Sequence, residues 1–200
     1  GVIAPGRIAS LNILKSKENP NPYSVMVKGV WVKKDGKDQQ NYNDPSWSDD
    51  HFGPLSLNWD LSIDDLQFSM PLGMKMRNAV IMEPYSITID NSVDELSENH
   101  DESFLALIDK NGKWRLNTMI KGFAKHVQGF VSSYSTTGDI IVIGKKKDEM
   151  LNAFHRMKEI GGGIVIAEDG KILHEIPLQL NGGASMESLE VIMKQEQQLG

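Results

Sequence analysis

Histidines and carboxylates are the groups that hold metal ions and move protons at neutral pH, so their spacing is read first. The five histidines, His51, His100, His126, His155 and His174, form no His-x-His or His-Glu-x-x-His pair. His155 and Glu159 stand four residues apart, which on a helix would let them share a cation. The same spacing describes an ordinary solvated helix face. His51 follows Asp49-Asp50, and His100 lies inside Glu98-Asn99-His100-Asp101-Glu102; both read as charged loops. Gly161-Gly162-Gly163 would follow a helix and enter a strand, the reverse of the order in which a phosphate-binding loop feeds a helix. It reads as a helix cap with a tight turn. Gly144-Lys145-Lys146-Lys147 precedes a helix but lacks P-loop spacing, and its lysines oppose the helix dipole, so a surface loop is expected. Cysteine is absent, which excludes disulfides, thiolate metal sites and a cysteine nucleophile.

One segment differs. Ser132-Ser133-Tyr134-Ser135-Thr136-Thr137-Gly138-Asp139 gathers six hydroxyls ahead of an apolar strand. Such a cluster can line a polar site at the end of a sheet, and it can equally be a turn built from the residues turns prefer. The residues alone leave both readings open.

The elements that would hold these groups follow from periodicity. Residues 8–14 alternate apolar and polar, as a half-buried strand does. Val25–Val27 and Val30–Val32 flank Lys28-Gly29, a hairpin signal. Strands are expected around Gln67–Met70, Ala79–Met82 and Ser86–Ile89, and a buried strand over Phe104–Ile108 closed by the turn Asp109-Lys110-Asn111-Gly112. Leu116, Met119, Ile120, Phe123 and Val127 have helical spacing interrupted by glycine, and their state stays open. Ile140–Ile143 reads as a strand buried on both faces. Met150, Leu151, Phe154, Met157 and Ile160 mark one face of a helix over 147–160. A hairpin turns at Glu168-Asp169-Gly170, and Ser185 is expected to cap a last helix over 186–198 with Leu189, Ile192 and Met193 inward. The expected fold class is α+β, or mixed α/β: a β-α-β-β-α layer domain after a few strands too short to close a core. The expected boundaries are strands over 1–34, a long loop over 35–60 anchored by Tyr42, Trp47 and Phe52, and an α/β domain over 61–200.

Two hundred residues, 40% hydrophobic and 24% charged, can build a real core without staples. A formal net charge of −6 argues against nucleic acid as a partner. No apolar run approaches the roughly 18 residues of a membrane span, so no membrane partner is expected, and no signal peptide opens the chain, so the expected location is cytoplasmic.

Certain strings resemble known ones. Gly1-Val2-Ile3-Ala4-Pro5-Gly6-Arg7-Ile8-Ala9 resembles the segment that follows the barrel in the amidohydrolase superfamily, with Ser10 where that family carries Asp. Ile120-Lys121-Gly122-Phe123, Ser132-Ser133, Ile140–Gly144, Met150, Gly161-Gly162-Gly163, Asp169-Gly170-Lys171 and Pro177-Leu178 resemble, in that order, the C-terminal domain of bacterial adenine deaminases. The resemblance implies that 1–34 is a partial β-sandwich tail after a catalytic barrel absent from this chain. With no initiator Met, a chain that starts in mid-protein is expected. It also implies a parent enzyme that hydrolyses adenine to hypoxanthine and ammonia, using water activated by a divalent metal (manganese, iron or zinc) held on that barrel. For this chain it implies no cofactor, no catalytic residue and no activity alone. Its implied partners are the barrel, a purine or related small molecule, and a second copy of itself. Substrate-adjacent residues would be Asn111, Ser132, Ser133, Thr136, Thr137 and Asp139. Two departures stand out: Lys110-Asn111-Gly112 replaces Arg-His-Gly, and Thr136-Thr137-Gly138-Asp139, one residue shorter, replaces His-Asp-Ser-His. Loss of those histidines opens an alternative: a non-catalytic ligand-binding or oligomerisation module of an amidohydrolase acting on another amino- or amide-bearing ring.

Overall fold

The computed structural model describes residues 3–39, 53–78 and 81–198. Two compact units emerge, Gly1–Ser46 and Trp47–Gly200. In the first, β1 (Leu11–Ile13), β2 (Ser24–Val27), β3 (Val30–Lys34) and β4 (Lys37–Asp38) form an antiparallel sheet in sequential order. Lys28 and Gly29 both take positive φ (49° and 83°), the turn geometry that matches strand twist. Ser24 is the one buried residue among those described here, its Oγ accepting from the Asp35 amide at 2.9 Å. Ile8, Ile13, Leu14, Val27 and Val30 are all exposed.

The second unit holds an eight-stranded sheet. Its strands are β5 (Leu72–Met76), β6 (Met82–Ser86), β7 (Glu102–Ile108), β8 (Arg115–Lys121), β9 (Gly129–Ser132), β10 (Ile140–Gly144), β11 (Gly163–Glu168) and β12 (Lys171–Pro177). They lie in the order β12-β11-β9-β10-β7-β8-β5-β6. Every pairing is antiparallel except β5 with β8. Because β10 and β11 both run antiparallel to β9 between them, they run parallel to each other, and that requires a crossover. Helix α1 (Lys147–Glu159) supplies it.

Residues at alternate positions divide the strands between two faces. Phe104, Ala106 and Ile108, with Val131, Ile140 and Val142, face Met150, Ala153, Phe154 and Met157 of α1. Leu55, Leu57, Leu61, Leu66 and Phe68 complete this core from an irregular stretch that begins within the expected 35–60 loop, while the expected anchors Tyr42, Trp47 and Phe52 lie outside the described residues. Trp59 stacks on Phe154 at 5.4 Å and Phe68 meets Phe104 at 4.5 Å. Leu105, Leu107, Ile120, Ile141 and Ile143 share the other face. Arg156 on α1 grips β12 through a two-pronged pair with Glu175, Nε to Oε2 at 2.7 Å and Nη2 to Oε1 at 2.9 Å.

Helix α1 and both hairpins form as their patterns require, while other segments differ. Residues 115–121, which carry part of a helical spacing, are strand β8, paired along their whole length with β7. A strand apolar on both faces also shows close-set apolar residues, which is why its spacing mimicked a helix. Residues 67–70 are not a strand; the pairing lies over β5 and β6 instead, while Ala79 and Val80 are outside the described residues. The last helix is α2 (Leu189–Gln197), with Ser188 rather than Ser185 at the N-cap position and no side-chain capping bond; the Ser185 Oγ instead accepts from the Glu187 amide in a turn. Leu189 and Met193 are exposed; Ile192 is half-buried, since α2 flanks only the edge strand β12.

Gly129 and Gly144 let the start of β9 and the end of β10 press against neighbouring backbone. A Cβ would lie 2.1 Å from the Glu149 carbonyl oxygen at Gly129 and 2.1 Å from the Gln128 carbonyl oxygen at Gly144. Gly129→Ala and Gly144→Ala should each cost about 1–3 kcal/mol in urea unfolding, whereas Gly53→Ala, with open space around it, should stay within about 0.5 kcal/mol. The Arg156 hydrogen bonds hold the Glu175 carboxyl below its ordinary value of 4.5. A depressed carboxyl stabilises the fold above the unfolded-chain value and loses that contribution as pH falls through the folded one. Glu175→Gln should therefore cost up to about 1 kcal/mol at pH 7 and progressively nothing as pH drops below 4.5.

Candidate functional site

β7 ends in a turn built by one carboxylate. Asp109 Oδ2 accepts from the amides of Asn111 (3.0 Å) and Lys113 (3.1 Å), and Gly112 takes positive φ (68°). β10 starts beside it, because Ile140 pairs with Ile108. The end of the 133–139 loop therefore meets the 109–112 turn at one end of the sheet. Burial pushes the Lys110 ammonium below its ordinary value, and the Asp139 charge opposes that shift.

The six residues singled out by sequence divide into three kinds. Ser133 is fully buried; its Oγ donates to the Gly182 carbonyl at 2.7 Å and accepts from the Gly163 amide at 2.8 Å. That hydroxyl ties β9 to two turns and has no face left for a ligand. Ser132 Oγ closes a local turn with Tyr134, donating to its carbonyl at 2.8 Å. Ser132 also lines one end of an apolar trough of about 600 Å³ on the open sheet face. Asn111, Thr136 and Thr137 are exposed and Asp139 is half-exposed, so these four present side chains at the sheet end. Ser135 shapes their loop, its Oγ donating to the Asp139 carbonyl at 2.9 Å.

The lysine run is not a surface loop. Lys145 and Lys147 are each 1% exposed, while Lys146 between them points outward to Glu95 and Asp169. Lys145 Nζ donates to the carbonyls of His100 at 2.7 Å and Glu102 at 2.5 Å, and Ser97 O lies at 3.5 Å. Burial pushes this ammonium below its ordinary value against the pull of Glu102, Asp101 and Glu98. Lys147 Nζ meets Asp94 Oδ1 at 3.1 Å and lies over the rings of Phe68 (5.8 Å) and Phe104 (5.5 Å). Nearby, the Glu102 carboxylate pairs with Lys121 at 3.0 Å. Burial, then the charge of Glu102, pushes the Tyr85 phenol up to about 12. These groups are structural. The burial of the three lysines alternates in, out, in past Gly144 as a strand's does, a pattern that three identical residues do not show in the sequence.

Among the described residues no three His, Asp or Glu side chains converge to hold a metal ion, and His51 lies outside those residues. His155 and Glu159 do not share a site. His155 Nε2 faces two acceptors, Leu61 O at 3.2 Å and Asp60 Oδ1 at 3.3 Å, while Glu159 pairs with Arg156. No helix among the described residues is long and apolar enough to cross a membrane.

A family model described as the adenine deaminase C-terminal domain matches residues 80–200. A Bacillus subtilis (strain 168) protein named "Putative adenine deaminase YerA" is 60% identical over 199 residues, covering 100% of this chain and 34% of that protein. A Halalkalibacterium halodurans protein named "Putative adenine deaminase BH0637" is 50% identical over 199 residues, covering 98% of this chain and 34% of its own length. A Staphylothermus marinus protein named "Adenine deaminase" is 27% identical over 212 residues, covering 96% of this chain and 34% of its own length. The chain thus spans about a third of the length of the curated relatives it matches.

Removing the buried ammonium tests the structural assignment. Lys145→Met leaves two carbonyl oxygens without their donor and should cost about 2–4 kcal/mol in urea unfolding, with faster hydrogen exchange over residues 94–102. Lys146→Met, one residue away, should leave the unfolding midpoint unchanged.

Proposed function

Since the chain belongs to the adenine deaminase family as its C-terminal domain, we propose that it serves a longer protein that hydrolyses adenine to hypoxanthine and ammonia, as a domain that shapes the substrate site without performing the chemistry. The observation that carries this reading is the meeting of the 109–112 turn with the 133–139 loop at one end of the sheet. These are the two segments where the resemblance sets substrate-adjacent residues. Asn111, Thr136, Thr137 and Asp139 then border the substrate, with Ser132 behind them and Ser133 holding the loop in place. Residues 1–34 continue a β-sandwich after the barrel, 35–60 connect, and 61–200 form the C-terminal domain. The divalent metal implied by the resemblance (manganese, iron or zinc) finds no fitting ligand set among the described residues here, so its site is assigned to the barrel. The working location is the cytoplasm.

The roles open to this chain are recognition and positioning. An amide and hydroxyls can donate to or accept from ring nitrogens, and a carboxylate can accept from an exocyclic amine. None of them exchanges protons at neutral pH as an imidazole does. The absence of histidine from 110–112 and 136–139 favours a second reading, in which the parent turns over adenine poorly and prefers another amino- or amide-bearing ring.

The test uses the full-length protein purified with manganese or iron, following ammonia release across purines, pyrimidines and cyclic amides. For the accepted substrate, Thr136→Ala and Asp139→Asn should raise KM by about tenfold with an unchanged melting temperature. Each would lose one hydrogen bond to the ring, whereas exposed loop side chains contribute less than about 1 kcal/mol to folding. Efficient adenine turnover indifferent to changes at Thr136, Thr137 and Asp139 would show that the segment is only a turn.

A further inference from the structure

Leu105, Ile120 and Ile143 are 3–5% exposed although, among the described residues of the second unit, no helix packs over them. Their cover comes from each other, from Ala124 in the connection after β8, and from half-buried Met76, Leu107, Phe130 and Ile141. Around them runs the trough of about 600 Å³, open to solvent, with Met82, Leu116, Phe123 and Tyr134 exposed along it. No Asp, Glu, Lys, Arg or His lines it. A sheet apolar on both faces is built to lie between two layers, and a solvent-facing sheet alternates apolar with polar residues instead. One layer is α1 with the 53–68 stretch. On the other face the described residues of the second unit supply no such layer.

We infer that the layer on that face is the catalytic part of the same polypeptide, seated on the trough. This rests on the reading above that the chain is the accessory domain of a longer deaminase. The matched relatives carry about two thirds of their length beyond the part that corresponds to this chain. A tethered layer reaches the trough at an effective concentration of about millimolar, whereas a second copy must bury about 800 Å² per partner and meet the full entropy of association. Position agrees with this choice. Ser132 and Tyr134 end the trough and begin the loop that carries Thr136, Thr137 and Asp139. An element lying in the trough is thereby set against the residues assigned to the substrate. Met74, Met76 and Met82 form a compliant wall for it.

This chain has no cysteine, so a cysteine placed in it is the one thiol on its own peptides. In the full-length protein, Leu116→Cys and Met82→Cys probe the trough and Leu173→Cys, 57% exposed on β12, serves as the open reference. Each variant is first checked for the parent's melting temperature, and maleimide labelling is then read on the relevant peptide by mass spectrometry. Both trough positions should label at least about tenfold more slowly than Leu173→Cys, by the same factor at every protein concentration, as a tethered cover requires. Labelling as fast as the reference would overturn the inference. Protection that fades on dilution would overturn it in favour of a second copy. Protection lost after stripping with a hydrophobic resin would overturn it in favour of an apolar small molecule. Adenine turnover on the same samples separates the two proposals. Concentration-independent protection in a protein inactive on adenine upholds the docked layer and sinks the activity, and turnover with an open trough does the reverse.

Discussion

An ammonium group taken out of water has to be met by oxygens, and the start of α1 is arranged around that requirement. Lys145 gathers the carbonyls of His100 and Glu102, and Lys147 takes Asp94, so the segment 94–102 is drawn onto the end of β10 from two sides. Glu102 in turn begins β7 and pairs with Lys121 at the end of β8. The register of the central strands, the covering of Phe104 and the course of the chain into β7 all follow from where two positive charges come to rest.

The same arrangement leaves the two ends of the sheet unlike. At one end, lysines, carbonyls and carboxylates satisfy one another. At the other end, the turn after β7 and the loop before β10 leave an amide, two hydroxyls and a carboxylate facing outward. A domain of this kind can fix the shape and hydrogen-bonding pattern of a pocket while the bond-breaking groups lie elsewhere. That division explains how imidazoles could be absent from both segments while the scaffold beneath them keeps its form.

Local chemistry made much of this readable. Asp169-Gly170 and Lys28-Gly29 demand hairpins, and the apolar stripe of α1, with Asp148 and Glu149 at its start, demands an amphipathic helix. β8 was ambiguous because burial on both faces erases the period that tells a strand from a helix. The lysines were misread because composition says nothing about which carbonyls will converge, and three identical residues in a row carry no in-out pattern. Ser133 was grouped with its neighbours because no local pattern marks a hydroxyl that will bond to Gly163 and Gly182, some 30 and 49 residues away. In α2 the stripe was visible, but the sequence could not say that an edge strand would cover so little of it.

The parallel contact between β5 and β8 is short, two residue pairs, Met74 with Ile120 and Lys75 with Lys121, helped by Thr118 donating to the Leu72 carbonyl. β5 and β6, by contrast, pair along five positions. The hairpin is tied down beyond that short ladder: Tyr85 and Ile87 pack against the first core, and a Cβ at Gly73 would lie 2.9 Å from the Met119 carbonyl oxygen. Where backbone pairing is sparse, side-chain packing and the bare backbone at Gly73 hold the margin of the sheet, so any side chain at that position would pry the margin away from β8.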